Sequence, residues 1–143
     1  MSTQNQPAGK AGKIIYWIAT AWLALGMIST AVVQLIQMKE ETNMMVRLGY
    51  PLYLLTILGT WKILGVIAVL MPRFPLLKEW AYAGFFFAMS GAVISHIAVG
   101  DNPKALFGPT LLIVLTAASW YLRPADRKLS ARRPAVLHRQ AGK

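Results

Sequence analysis

A lysine stands in the middle of one of the most apolar parts of this sequence. Lys62 lies in the run LGTWKILG, about ten residues from either end of an apolar stretch over residues 52–71. A lysine at the centre of a membrane helix costs about 2.5–3.5 kcal/mol and usually faces a bundle interior or a wet cavity. Its ammonium can donate hydrogen bonds to a ligand carbonyl or attract an anion. Lys62 is therefore the first candidate for ligand binding.

The surroundings of Lys62 in the sequence leave three interpretations open. No aspartate or glutamate occurs in the four apolar stretches of the chain, so no salt bridge inside the membrane is predicted for this lysine. It can bind an anionic or carbonyl-bearing ligand, or it can bond to carbonyls, hydroxyls and amides of its own chain. In the third interpretation it faces lipid, with its long stem directed toward the membrane surface.

His96 is a second candidate, because imidazole can exchange protons near neutral pH. It lies toward the end of the third apolar stretch, and the other histidine, His138, lies in the tail. Haem is disfavoured, because a pair of histidine ligands is not present within the apolar stretches of one chain. A role in proton exchange or hydrogen bonding beside a ligand, and a role in packing, both remain open.

Further polar and aromatic residues are expected near these two. Gln34 and Gln37 lie near the end of the first stretch and Tyr50 precedes the second, so these residues and His96 should share one side of the membrane. Trp61 is adjacent to Lys62 but points in another direction, which is more typical of packing. The candidate ligand-binding residues are thus Lys62, His96, Gln34, Gln37, Tyr50 and Trp61.

The absence of cysteine limits the chemistry of this chain. Zinc thiolate sites, iron–sulfur clusters, disulfides and thiol relays are excluded within it, and no metal site is predicted. Redox chemistry would need a bound cofactor such as a quinone, or a redox partner protein. The residues alone leave open whether the protein is an enzyme.

Four apolar stretches must position these side chains. They cover residues 14–38, 52–71, 81–99 and 106–122, each long enough for a helix to cross about 30 Å of hydrocarbon. With 56% hydrophobic and 14% charged residues, the chain is too apolar for an ordinary soluble domain. We predict an all-α integral membrane four-helix bundle over residues 14–122. A polar tail (1–13) and a basic tail (123–143) flank it, and residues 40–48 should form a surface helix with Met44, Met45 and Leu48 facing inward.

The distribution of charge predicts how the bundle is oriented. Eleven of the fifteen basic residues precede the first stretch, lie between the second and third, or follow the fourth. The positive-inside rule then places both termini in the cytoplasm, in a multi-pass protein of the plasma membrane. A basic tail after an apolar stretch favours lipid contact over nucleic acid. The competing interpretation of the first stretch is a cleaved signal peptide, but its apolar run continues past the weak Ser29-Thr30-Ala31 cleavage pattern.

Small and aromatic residues indicate which surfaces pack and which anchor. Gly84, Ala88 and Ala92 form a stripe at spacing four that leads to His96, and we interpret it as a helix-packing face. Gly59 and Gly65, which flank Lys62, are interpreted in the same way. The aromatic residues near the ends of the stretches, among them Tyr16 and Tyr82, are predicted to be interfacial anchors.

Several short motifs, in this order, resemble a known family. They are GYP at 49–51, LGTWKILG at 58–65, PRFPLLKEWAYAG at 72–84, Ser95-His96 and Gly100-Asp101. Together they resemble the DoxX-like family of small four-helix bacterial membrane proteins, from about Ile14 to Arg123. The resemblance implies a location in the bacterial inner membrane. The broader group includes the membrane subunit of a thiosulfate:quinone oxidoreductase and members linked to oxidative stress.

Two functions follow as expectations. The resemblance implies a quinone-interacting protein or a membrane component of an oxidoreductase, with Lys62 donating to the quinone and His96 exchanging protons. The alternative is a non-catalytic binding, transport or scaffold protein that houses a lipid-like or anionic ligand or a partner helix. Transport through four short spans would require a homo-oligomer.

Overall fold

The protein is built from helices throughout the part that the computed structural model describes, residues 9–129. Four of the helices are long and apolar enough to cross a membrane, which confirms the predicted all-α membrane bundle and makes this a multi-pass membrane protein. The elements are α1 (Lys10–Leu35), α2 (Lys39–Leu48), α3 (Tyr53–Leu70), α4 (Pro75–Ala98), α5 (Lys104–Tyr121) and a 3₁₀ turn (Ala125–Arg127).

The four long helices form a closed ring around a common interior. Both α1 and α4 pack against α3 and α5. Since the helices alternate in direction, the bundle has two different ends. The α2 end carries α2 and the loop from α4 to α5, and the termini end carries the start of α1, the loop from α3 to α4 and the end of α5.

The start of α4 differs from the sequence prediction. Pro75 occupies its first turn, where proline is well tolerated because its missing N–H has no helical partner there. The helix therefore begins six residues before the predicted residue 81 and includes Glu79. Glu79 lies outside the predicted stretch of residues 81–99, so that stretch itself still contains no carboxylate.

Large side chains fill the middle of the bundle. The buried cluster consists of Leu23, Met27, Val66, Val69, Tyr82, Phe85, Met89 and Leu112. Two glycines let helices approach one another. A Cβ built at Gly59 would lie 2.8 Å from Cγ of Leu35, and one built at Gly65 would lie 2.5 Å from the Phe85 ring. Both glycines beside Lys62 therefore lie at helix contacts, α3 with α1 and α3 with α4.

The small-residue stripe on α4 was predicted to be a packing face, and this was wrong at Gly84. A Cβ built there would meet nothing within 4 Å. The face that α4 turns to the bundle instead carries Tyr82, Phe85 and Met89, at the spacing of a helix core face. Large apolar side chains decide how this helix is rotated about its axis, because they fill more of the interior than glycine or alanine can.

Two of the predicted interfacial anchors are also corrected. Tyr16 and Tyr82 are buried in the bundle and do not face the membrane surface. Burial of a tyrosine requires a partner for its hydroxyl, and Tyr82 finds one in Ser119 of α5 at 2.7 Å. Residue types near the ends of a span therefore do not distinguish an anchor from a core residue.

Candidate functional site

A cavity of about 410 Å³ lies inside the bundle at its α2 end. Its volume falls in the range of small-molecule sites, and most of its wall is apolar, as is usual for such sites. All four spanning helices and α2 contribute to it. The polar residues of its wall are Thr30, Gln34, Glu41, Tyr50, Lys62, Ser95 and His96.

Lys62 projects into the bundle from the middle of α3. Its side chain is buried, with 6% of the residue exposed, and its Nζ donates to Oγ1 of Thr30 at 3.2 Å. The Thr30 hydroxyl donates in turn to the carbonyl of Gly26 at 3.0 Å, so its oxygen is free to accept from the lysine. Gly59, one turn before Lys62, lets α3 come close enough to α1 for this bond. Lys62 therefore does not face lipid.

The ammonium of Lys62 retains donors for a further partner. An ammonium carries three N–H groups, and the contact with Thr30 uses one of them. The carboxylate of Glu41, on α2, lines the same cavity as Lys62. The cavity therefore has a cation, Lys62, on one wall and a carboxylate, Glu41, on its α2 wall. A neutral polar group can lie between these two charges.

Glu41 was missed in the sequence analysis, although the pattern of α2 contains it. Glu41, Met44, Met45 and Leu48 recur at the spacing of one helix face, and all four line the cavity. Met45 is buried, while Arg47 on the other face is exposed. The predicted inward face of the short helix is thus a wall of the cavity, and Glu41 is its polar end.

Gln34 supplies an acceptor without a partner. Only 8% of this residue is exposed, and its Oε1 is buried without a hydrogen bond from any of residues 9–129. A buried amide oxygen left without a donor is unfavourable by about 1–3 kcal/mol. In the cavity wall, this oxygen can accept a hydrogen bond from a ligand. If the amide is rotated by 180°, its NH₂ group can instead donate a hydrogen bond to a ligand.

His96 is held at the α2 end by Asp101. The left-handed turn at Gly100 (φ 71°) folds the chain back, so Asp101 N–H bonds to the carbonyl of His96 at 3.0 Å. The carboxylate then lies 2.6 Å from Nδ1 of His96 and 3.0 Å from the guanidinium of Arg47. A carboxylate accepts, so Nδ1 carries the proton and Nε2 is the nitrogen that can interact with a ligand.

Tyr50 and Ser95 join the two sides of this end. Their hydroxyl oxygens are 2.8 Å apart. Ser95 donates its own hydrogen to the carbonyl of Gly91 at 2.9 Å, so Tyr50 donates to Ser95. Together with the pair of Arg47 and Asp101, this bond ties the segment from α2 to α3 to the end of α4.

The structure brings four of the six candidate residues together. Lys62, His96, Gln34 and Tyr50 line the same cavity. Gln37 lies in the exposed turn after α1 with a φ of 49°, and Trp61 is 66% exposed on the outside of α3. Neither residue belongs to the cavity wall. Thr30, the partner of Lys62, could have been found as a hydroxyl on the same face of α1 as Gln34.

A second polar cluster lies at the termini end, and there the hydroxyls form a directed chain. Tyr82 donates to Ser119 at 2.7 Å, Ser119 donates to Thr20 at 2.7 Å, and Thr20 donates to the carbonyl of Tyr16 at 2.6 Å. Each hydroxyl hydrogen is used once, and α1, α4 and α5 are joined. This chain satisfies three buried hydroxyls without an adjoining cavity among those described.

Charged residues at the termini end also bond within the bundle, although Nη1 of Arg123 is buried without a partner among the described residues. Lys78 is 1% exposed, and its Nζ donates to the carbonyls of Ala68 (3.0 Å), Val69 (3.2 Å) and Met71 at the end of α3. A cation at a helix C-terminus is favoured by the helix dipole as well. Arg123 is buried and pairs with Glu79 at 2.6 Å, so the first residue of the predicted basic tail packs against the bundle. Residues 130–143 of that tail lie outside the described part of the chain.

The comparison with known families agrees with the arrangement of helices. A family model described as the DoxX-like family matches residues 18–119, from the third turn of α1 to the last turn of α5. The matched range includes the whole cavity wall and most of the termini-end cluster. Neither the curated proteins nor the solved structures gave a match to this chain.

Proposed function

This chain belongs to the DoxX-like family, and on that premise we propose that it binds a quinone in the cavity at the α2 end. The observation that carries the proposal is the buried ammonium of Lys62, with donors to spare, beside the unpartnered Oε1 of Gln34. A quinone is flat and apolar apart from two carbonyl oxygens, which accept hydrogen bonds and become hydroxyls on reduction. Lys62 would donate to one carbonyl, and Gln34 would accept from the hydroxyl of the reduced form.

The charges of the cavity support a neutral ligand over an anionic one. An anion attracted by Lys62 would also meet the carboxylate of Glu41 in the same space. Like charges in a poorly solvated site repel strongly, since little water screens them. A quinone carbonyl takes the hydrogen bond from Lys62 without adding a second negative charge.

His96 would connect the ligand with the membrane surface. Its Nδ1 is occupied by Asp101, which leaves Nε2 to accept a proton from a reduced quinone or to return one. By the positive-inside rule the α2 end would face the outside of a bacterial inner membrane, so protons would exchange on that side. Electrons would come from a redox partner protein, and this chain would serve as the quinone-binding membrane component of an oxidoreductase.

Purified protein in lipid nanodiscs provides the direct test. Solvent extracts should contain quinone by mass spectrometry, and Lys62→Met should weaken binding of added quinone by about tenfold or more, because a charge-assisted hydrogen bond is lost. Lys104→Met is the matched control, since it removes a lysine from the same end but outside the cavity wall. Its affinity should equal that of the unaltered chain.

His96→Ala should also weaken quinone binding, because it removes the second polar group that faces the ligand. Unchanged affinity in both Lys62→Met and His96→Ala would reject the quinone site. Extracts that contain a phospholipid and no quinone would favour the non-catalytic binding protein instead.

A further inference from the structure

We propose, on the basis of the quinone site above, that the cavity is selective for the reduced form of its ligand, the quinol. The polar part of the cavity wall holds three groups that accept hydrogen bonds: the carboxylate of Glu41, Oε1 of Gln34 and Nε2 of His96. A quinol has two hydroxyls that can donate to such groups, whereas an oxidised quinone has no donor. The wall therefore offers more partners to the quinol than to the quinone.

The ammonium of Lys62 does not discriminate between the two forms. It bonds to Thr30 through one of its three N–H groups and keeps the other two. It can donate to the carbonyl oxygen of a quinone, and it can donate to the hydroxyl oxygen of a quinol, because a hydroxyl also accepts. The preference for one form is therefore decided by the acceptors.

The hydroxyls of the cavity wall do not supply further donors for a quinone carbonyl. Thr30 donates to the carbonyl of Gly26 at 3.0 Å, and Ser95 donates to that of Gly91 at 2.9 Å. Tyr50 donates to Ser95 at 2.8 Å. Each of these hydrogens is used inside the protein, so a quinone carbonyl obtains no hydrogen bond from the three hydroxyls.

Each of the three acceptors is available to a donating ligand. Oε1 of Gln34 is buried without a hydrogen bond from any of residues 9–129. Nδ1 of His96 lies 2.6 Å from the carboxylate of Asp101, so Nε2 of the neutral imidazole accepts. Glu41 accepts through a carboxylate, and hydrogen bonds to an ionised acceptor are about twice as strong as neutral ones. Rotation of the Gln34 amide by 180° replaces one acceptor with a donor but leaves the other two in place.

The acceptors lie nearer the α2 end than the partner of Lys62 does. Lys62 bonds to Thr30, and Gln34 lies four residues further along α1 toward that end. Four residues of helix rise about 6 Å, which is close to the distance between the two oxygens across a benzoquinone ring. Glu41 on α2 and His96 near the end of α4 belong to the same end. A ring with one oxygen at the lysine can thus direct the opposite hydroxyl to the acceptors.

Selective binding of the quinol makes the bound quinone easier to reduce. The reduction takes two electrons from the redox partner protein and two protons, one for each ring oxygen, and yields the quinol. If the quinol binds tenfold more tightly than the quinone, the midpoint potential of the bound pair rises by about 30 mV relative to the free pair. The site therefore favours electron flow from the partner protein to the quinone.

Anaerobic titration of one compound in its two oxidation states tests the selectivity. A decyl-substituted benzoquinone and the corresponding quinol are added separately to the unaltered chain in nanodiscs at about pH 8, where imidazole is mainly neutral. We expect the quinol to bind about tenfold more tightly than the quinone. A potentiometric titration should then give a midpoint for the bound pair about 30 mV above that of the same pair in protein-free nanodiscs.

Variants of two acceptors test the cause of the selectivity. Gln34→Leu and Glu41→Leu should each lower the ratio of the quinol affinity to the quinone affinity by about threefold or more, because each removes a group that only the quinol can donate to. Asn43→Leu is the matched control and should keep the ratio, since it removes an exposed amide of α2 outside the cavity wall. The thermal midpoint of Gln34→Leu should not fall, because a buried acceptor without a partner is lost.

The outcomes separate this inference from the quinone site itself. If neither compound binds to the unaltered chain, the proposed function fails. If the quinone binds as tightly as the quinol, or more tightly, the selectivity is overturned while the quinone site stands. A ratio that neither Gln34→Leu nor Glu41→Leu lowers also overturns the inference, because the acceptors are then not the cause of the selectivity.

Discussion

Lys62 and Lys78 are two buried lysines at different depths of one bundle, and their surroundings are opposites. At the termini end, Lys78 donates to the carbonyls of Ala68 and Val69 in α3 and of Met71 just after it, and has no cavity beside it among the described pockets. Toward the α2 end, Lys62 bonds to one hydroxyl and faces a cavity of about 410 Å³. The first arrangement satisfies the cation completely, while the second leaves it with capacity for a partner.

The other buried polar groups at the two ends of the bundle also differ in their partners. The termini end pairs Arg123 with Glu79 and orders the hydroxyls of Tyr82, Ser119 and Thr20 into one chain. The α2 end leaves Oε1 of Gln34 without a donor. Nη1 of Arg123 at the termini end is also buried without a partner among residues 9–129, so the two ends differ in the cavity beside the unpartnered group and not in complete saturation of their polar atoms.

The largest effect should come from Lys78→Met. It leaves carbonyls of α3 buried without their donor, so the free energy of unfolding should fall by about 2–4 kcal/mol. Thermal unfolding in detergent, followed by circular dichroism, measures the loss. Lys13→Met, at an exposed position of the same end, should have no effect. An unchanged midpoint for Lys78→Met would contradict the structural role of this lysine.

Ser119→Ala should have the next largest effect. It removes the acceptor of Tyr82 and the donor to Thr20, and we expect a loss of about 1–3 kcal/mol from the two buried hydroxyls. Ser90→Ala is the control, because Ser90 bonds only within α4, to the carbonyl of Phe87. Equal midpoints for the two variants would show that the hydroxyl chain does not stabilise the bundle.

Lys62→Met should change stability in the opposite direction or leave it unchanged. Replacing a poorly paired buried cation with an apolar side chain of similar length is often neutral or stabilising, here by about 0–1 kcal/mol. The same unfolding measurement gives a direct comparison with Lys78→Met. A loss as large as that of Lys78→Met would make Lys62 a structural residue and weaken the case for a ligand.

Arg47→Gln should have the smallest effect on global stability. Its guanidinium is exposed, and an exposed ion pair contributes about 0–1 kcal/mol. Because Arg47 ties α2 to Asp101, the effect should appear locally, as faster amide hydrogen exchange in residues 39–48. If amide hydrogen exchange in Arg47→Gln is equally fast in α2 and at the termini end, α2 is not a separately docked element.

Much of the fold could be predicted from local pattern alone. The four spans follow from apolar length, and the inward face of α2 follows from the spacing of Met44, Met45 and Leu48. The start of α4 was missed because hydropathy alone does not reveal that proline begins a helix well. Helix length and amphipathic spacing are properties of neighbouring residues, so a sequence reports them directly.

The candidate site was predictable in part for the same reason. Lys62, His96, Gln34 and Tyr50 were identified by residue type and depth in the membrane, and these are local properties. Gln37 and Trp61 share that depth but lie outside the cavity, because depth does not determine the side of a helix that faces the interior.

By itself the sequence determined that four helices cross a membrane and that one lysine lies at mid-depth in α3. Only the tertiary structure decided what surrounds each polar group: Thr30 and Glu41 around Lys62, and Asp101 beside His96. The physical reason is that large side chains such as Phe85 and Met89 set the rotation of each helix when they pack. That rotation depends on all four helices together, and no single stretch of sequence contains it.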